Sequence, residues 1–172
     1  GNWSNTSGGA SNGSIPGPAD NAIFDGATGG TINTPTEILG LTLDAAFSDT
    51  LTVDSTLDLN GALFLAGGTL EQIDAADTIT IADTWGNGGG SYIHNGVGVI
   101  QFSGPSPGIY GNNTFFDVTI TGADTSNVFF TMEEATTQTI EGTFTAQGNI
   151  DDLYYIQFRS STFAQPWFID AL

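Results

Sequence analysis

Residues 38–81, ILGLTLDAAFSDTLTVDSTLDLNGALFLAGGTLEQIDAADTITI, alternate apolar and polar positions in short runs. The apolar positions are Leu39/Leu41/Leu43, Leu51/Val53, Leu57/Leu59, Leu63/Leu65 and Ile79/Ile81, with small or acidic residues between the runs. A period of two puts Leu, Val and Ile on one face of a strand and Thr, Asp and Asn on the other. The runs are too short for helices and too regular for a disordered chain. They predict a series of short strands wound around one apolar core.

The pattern continues on both sides of this block. A first strand is expected at Ala22–Phe24, closed by the turn Asp25-Gly26. Further strands are expected at Tyr92-Ile93 and Val97–Phe102 around the turn His94-Asn95-Gly96, and then as one strong strand, Thr114–Thr121. Val128–Met132, Gln138–Ala146, Tyr154–Phe158 and Trp167–Ile169 complete the series. Residues 84–90, TWGNGGG, are expected to be a glycine loop carrying Trp85. Residues 1–21 are rich in Gly, Ser, Asn and Pro and are expected to be a leader or end cap, with Trp3 covering the open end of the core. The nearest helix candidate, Met132–Thr136, is a single turn.

Strands recur about every ten residues and larger units about every twenty, which suits either a sandwich or a parallel solenoid with two or three short strands per coil. The short, numerous strands, the Gly/Asn/Asp/Thr-rich turns and the evenly spaced aliphatics favour the solenoid. The expected architecture is therefore all-β, a single solenoid domain over residues 22–172, with a β-sandwich as the alternative.

Composition narrows the partners. The 172 residues are enough to bury one sizeable core. Nineteen Asp and Glu face a single basic residue, Arg159, for a formal charge of −18. Nucleic acid and anionic membrane both demand cationic side chains, so this balance argues against them. It favours solubility and association with cations, with self-repulsion weakening at higher salt. Cysteine is absent, which removes disulfides, thiolate zinc sites and cysteine nucleophiles. No apolar run is long enough to span a bilayer as a helix. With no initiator Met and no signal peptide, the chain is expected to begin inside a processed or trimmed product. An acidic, Lys-free, Thr/Gly/Asn-rich composition points to an extracellular or cell-surface location. Asn-x-Ser/Thr triplets at Asn2, Asn5, Asn12 and Asn112 are explained by the abundance of those residue types.

The leader Asn2-Trp3-Ser4 followed by Pro16-Gly17-Pro18-Ala19-Asp20-Asn21-Ala22-Ile23-Phe24-Asp25 resembles the opening of bacterial surface and autotransporter-like parallel β-helix proteins. The segment Gly111–Ile120 (GNNTFFDVTI) is similar to a coil of large repetitive cell-surface proteins, and Thr137–Phe144 to the coil that follows it. The resemblance implies a right-handed parallel β-helix displayed outside the cell. Its motifs are structural and degenerate, more specific for fold than for activity.

Candidate chemistry is sparse. The adjacent carboxylates Glu133-Glu134 and Asp151-Asp152 point to opposite faces if they lie on strands, so neither makes an acid/base couple flanking one glycosidic bond. Arg159 is expected to be a lone ion-pair partner. His94 is expected in a turn and has no second His or Cys with which to bind a transition metal. Gly104-Pro105-Ser106-Pro107-Gly108 has proline where a nucleophile elbow needs a flexible turn. Hard cations want clustered oxygens, and the acidic loops at Asp20–Asp25, Asp74–Asp77 and Asp151-Asp152 leave calcium as the one cofactor to consider. The sequence therefore reads as a non-enzyme. The leading expectation is an extracellular structural protein, a solenoid subunit that self-associates into a filament, sheath or surface layer. Its candidate assembly surface is Trp3, Tyr154, Tyr155, Phe163, Trp167 and Phe168, aromatic and lightly charged. A surface adhesin or carbohydrate-binding module, with Trp85, Tyr92, Tyr110 and Tyr154 stacking on a glycan, is the second expectation. A polysaccharide lyase or hydrolase ranks last.

Overall fold

A computed structural model describes residues 15–122, 126–148, 154–162 and 165–171. These residues form a parallel β-solenoid of about six turns with no helix. The first coil is β1 (Asn21–Phe24), β2 (Gly30–Ile32) and β3 (Thr36–Ile38). The second is β4 (Gly40–Leu43), β5 (Thr50–Val53) and β6 (Leu57–Leu59), and the third β7 (Leu63–Leu65), β8 (Thr69–Gln72) and β9 (Thr78–Ile81). The fourth is β10 (Thr84–Asn87), β11 (Ser91–Ile93) and β12 (Val99–Phe102); the fifth is β13 (Gly108–Tyr110), β14 (Asn113–Phe115) and β15 (Asp117–Thr121). The sixth is β16 (Val128–Met132), β17 (Thr137–Ile140) and β18 (Phe144–Gln147), followed by β19 (Ile156–Ser160) and β20 (Phe168–Ala171).

Each strand pairs in parallel with its counterpart one coil away, so the coils stack into three faces. One face is a seven-stranded sheet, β1-β4-β7-β10-β13-β16-β19. A second is six-stranded, running from β3 to β18. The third is interrupted: β2-β5-β8-β11 form one sheet and β14-β17-β20 another. On the seven-stranded face Leu41 sits against Leu63 and Leu63 against Trp85, a step of 22 residues each time (41 to 63 to 85). Matching positions continue as Ile109 and Met132. On the six-stranded face Ile38, Leu59, Ile81, Phe102 and Ile120 form another inward row. Every residue in these rows is buried. Period-two alternation thus becomes one continuous core, because each coil presents its apolar positions at the same register.

Several local expectations change. Residues 84–87 are not loop but β10, and Trp85 is fully buried. The predicted strand Thr114–Thr121 is two strands, with a corner at Phe116 that carries the chain from one face to the next. Gln138–Ala146 likewise divides at Gly142. The strands on either side of His94-Asn95-Gly96 belong to different sheets, so this turn is a coil corner and not a hairpin. Residues 133–135 make a turn with Ala135 at φ 58°, not a helical turn. Pairing with β7 and β13 holds residues 84–87 as a strand, and solenoid corners account for the other changes, since each one resets the alternation that a flat sheet would have continued.

The interior changes character along the axis. The first three coils are filled mainly by Leu, Ile and Val. From the fourth coil onward aromatic rings take over. Trp85 meets Tyr92 and Phe115 edge-on at 5.0 and 5.1 Å, and Phe102 meets Phe130 at 5.0 Å. Where the third face is interrupted, buried amides supply a second ladder. The Trp85 indole N–H donates to Asn113 Oδ1 at 2.7 Å, and Asn113 Nδ2 donates to Gln138 Oε1 at 2.9 Å. Gln138 Nε2 donates in turn to the Gly111 carbonyl at 2.8 Å. Both amides of this ladder are partnered, so it fixes register without leaving either side chain desolvated and unpaired.

Candidate functional site

At the C-terminal end of the stack, β18, β19 and β20 are the last strands of their faces. Among the described residues no strand pairs with their outer edges. Their inward side chains, Phe144, Ile156, Phe158 and Ile169, together with Trp167 beside β20, pack on the core but remain partly open. Phe158 lies 5.7 Å from Phe130, and both Phe144 and Trp167 lie 6.1 Å from Phe158. The aromatic stack therefore runs out to the end of the rod. The three terminal strands contain one carboxylate, Asp170, and the one basic residue, Arg159. The last coil is tied down by Glu134, whose N–H donates to Ser161 Oγ at 3.1 Å while its carboxylate accepts from the same hydroxyl. That hydroxyl bond, then the Glu134 backbone N–H and the Thr162 side chain, hold the Glu134 carboxyl below its usual range.

The predicted surface residues separate. Trp3 and Phe163 lie outside the described residues. Trp167 belongs to the end stack, and Tyr154 is half-buried just before β19. Phe168 is paired with Thr137 and points outward from the side of the rod, 54 % exposed. Tyr155 is exposed and its N–H donates to Asn127 Oδ1. Phe144 and Ile169 are part of the end stack without having been singled out in the sequence. Their signal is register, Ile169 opposite buried Gln138 and Phe144 opposite buried Val118, which is readable only once the pairing is known.

Trp85 and Tyr92 are not exposed sugar-stacking aromatics. Trp85 is core, and the Tyr92 hydroxyl is tucked inside, donating to Gln72 Oε1 at 2.7 Å. Burial drives the Tyr92 hydroxyl well above its ordinary pKa. Arg159 does not serve as an ion-pair partner among the described residues. Its guanidinium lies over the Phe129 ring, 3.8 Å from the centroid, and donates to Gln157 Oε1. His94 stands at a corner, as expected. Its Nδ1 accepts from the Gly96 N–H at 3.0 Å and its Nε2 lies 3.6 Å from Glu141 Oε2. Glu133 accepts from the Gly111 N–H at 2.7 Å, and Asp74 accepts from the Ala76 N–H. Among the described residues no three His, Cys, Asp or Glu side chains converge as a metal-ligand set, and Asp151-Asp152 lie outside them.

Asp77 is the one buried carboxylate in this group, 9 % exposed, with Oδ2 lacking a hydrogen-bond partner. Desolvation, and then the charges of Asp74 and Asp54, raise its pKa above the ordinary 3.8. Because the folded value exceeds the unfolded one, the fold favours the neutral acid. Stability from this group falls as pH rises through the unfolded value. Asp77→Asn is expected to raise the melting temperature at pH 7 and to leave it unchanged near about pH 3, where both states hold the proton. Thermal unfolding at the two pH values checks this, and a lower melting temperature at pH 7 would contradict it.

No protein-family model, no curated protein and no solved structure matches this chain.

Proposed function

We propose that this chain is an extracellular structural protein, a β-solenoid subunit that stacks end to end with further copies of itself into a filament, sheath or surface layer. The reading rests on the C-terminal end: three strand edges unpaired among the described residues, over a half-open floor of Phe144, Ile156, Phe158, Trp167 and Ile169. An unpaired edge above an apolar cross-section templates the next coil. Every ladder in the rod is parallel, so head-to-tail addition is the geometry that continues it. The first coil offers complementary material in β1, β2 and β3, with Ala22, Phe24, Ile32 and Ile38 facing inward. The acidic, Lys-free composition supports a place outside the cell.

Light scattering across a concentration series, with negative-stain microscopy, tests the reading. The expected result is linear particles whose length grows with protein concentration, and further with salt as the −18 charge is screened. Phe158→Asp places a charge on the end floor and is expected to give single rods with an unchanged strand signature by circular dichroism. A monomer at every concentration, with salt or calcium present, would end the proposal.

A further inference from the structure

The outward side of the seven-stranded sheet differs from the rest of the surface. None of its strands contains an Asp or Glu, although the chain has nineteen, and it holds the only basic residue. One outward row runs Ile23, Thr42, Phe64, Gly86, Tyr110. The Phe64 ring lies down on Gly86: a Cβ added there would sit 2.6 Å from Phe64 Cδ1. Tyr110 covers Gly108 in the same way, its Cε2 3.0 Å from where a Cβ would be. Both rings are thereby laid along the sheet over glycine floors, and Phe64 remains 47 % exposed. Beside them a second outward row carries Thr84, Gly108, Thr131 and Arg159. Carboxylates gather only where the strands end, at Asp20, Asp25, Asp44, Asp83 and Glu133.

We infer that this face is a docking strip for an extended, neutral polysaccharide lying along the rod. Phe64 and Tyr110 stand on strands two apart, and the Phe64 ring leans over the intervening Gly86 toward Tyr110. The two rings thus make one apolar platform along the rod axis, on which neighbouring sugars of an extended chain can stack. An aromatic face stacks on the C–H face of a sugar, while the threonine hydroxyls offer hydrogen bonds alongside. The acidic margins repel an anionic polymer but not a neutral one. A second copy of the protein is a poorer occupant. Seven strands by three or four residues give a strip of about 350 Å², well short of the about 800 Å² per partner that a stable protein interface buries.

The test is isothermal titration of the full chain with soluble β-1,4-linked hexamers of glucose and of N-acetylglucosamine, with polygalacturonate as the anionic comparison. At least one neutral hexamer is expected to bind. Phe64→Ala and Tyr110→Ala should each weaken it by about tenfold, with circular dichroism unchanged, since both rings lie outside the core. Thr119→Ala, on the six-stranded face, should bind as the parent does. The inference is overturned by three results: neither hexamer binds, Phe64→Ala binds equally well, or polygalacturonate binds as tightly as the neutral hexamers. A concentration-dependent dimer that Phe64→Ala dissociates would also overturn it, assigning the face to a second copy. Phe64 and Tyr110 stand on the side of the rod, so failure here leaves end-to-end stacking untouched.

Discussion

Trp85→Ala is expected to cost about 3–5 kcal/mol of stability, the range for emptying a buried tryptophan site. The ring is fully buried in the fourth coil, between Tyr92 and Phe115, with Leu63 and Ile109 at matching positions in the coils on either side. Removing it also strips Asn113 Oδ1 of its indole donor, and an orphaned buried acceptor costs about 1–3 kcal/mol more. Against a typical total of about 5–15 kcal/mol, this lowers the melting temperature by about 10 °C or more. Trp85→Phe separates the two effects, since it keeps most of the apolar volume and loses the N–H. Urea unfolding followed by circular dichroism measures both variants. A repeat stack is stabilised by neighbour-to-neighbour contacts, so Trp85→Ala should also broaden the transition as the first three coils uncouple from the last. A loss under about 1 kcal/mol would mean that the tryptophan is not part of the core.

The Trp85 site shows where the sequence is readable and where it is not. In residues 38–81 the pairs Leu41/Leu43, Leu51/Val53, Leu57/Leu59, Leu63/Leu65 and Ile79/Ile81 are all buried, because period-two alternation is a property of the strand alone. Leu39 breaks the series: it is 37 % exposed at the bend between β3 and β4. Around Trp85 the local composition signals a loop, yet ladder bonds from neighbouring coils hold TWGN as a strand. Gly86 is there to make room for the Phe64 ring, a contact 22 residues away (64 to 86) that no local window contains. The candidate end surface divides in the same manner. Its aromatic richness is visible in the chain, but which of Trp167 and Phe168 faces inward depends on pairing with Thr137 and Gln138. Arg159 escapes charge-based reasoning because its partner is the Phe129 ring, not a carboxylate.

Gly104→Ala is expected to be nearly as damaging as the loss of Trp85, for a reason invisible in any count of contacts. A Cβ at this buried position would fall inside the carbonyl group of Ala82, in the coil beneath. Both groups are backbone, so no side chain can swing aside, and one coil must lift off the next. Gly104 opens the stretch Gly104-Pro105-Ser106-Pro107, whose Pro105 and Pro107 carbonyls accept from Phe129 and Thr131 at 3.0 and 2.9 Å. Lifting it therefore strains the seven-stranded face on both sides, including the strip that carries Phe64 and Tyr110. The expected cost is about 3 kcal/mol or more, at the upper end for overpacking. Gly26→Ala is the matched control, because nothing lies within 4 Å of a Cβ there. It should leave stability within about 1 kcal/mol of the parent or slightly raise it by restricting the unfolded chain. Paired urea titrations decide the matter: equal midpoints for the two variants would show that the coils at Gly104 are not in close contact, and that the rod is softer there than its ladder implies.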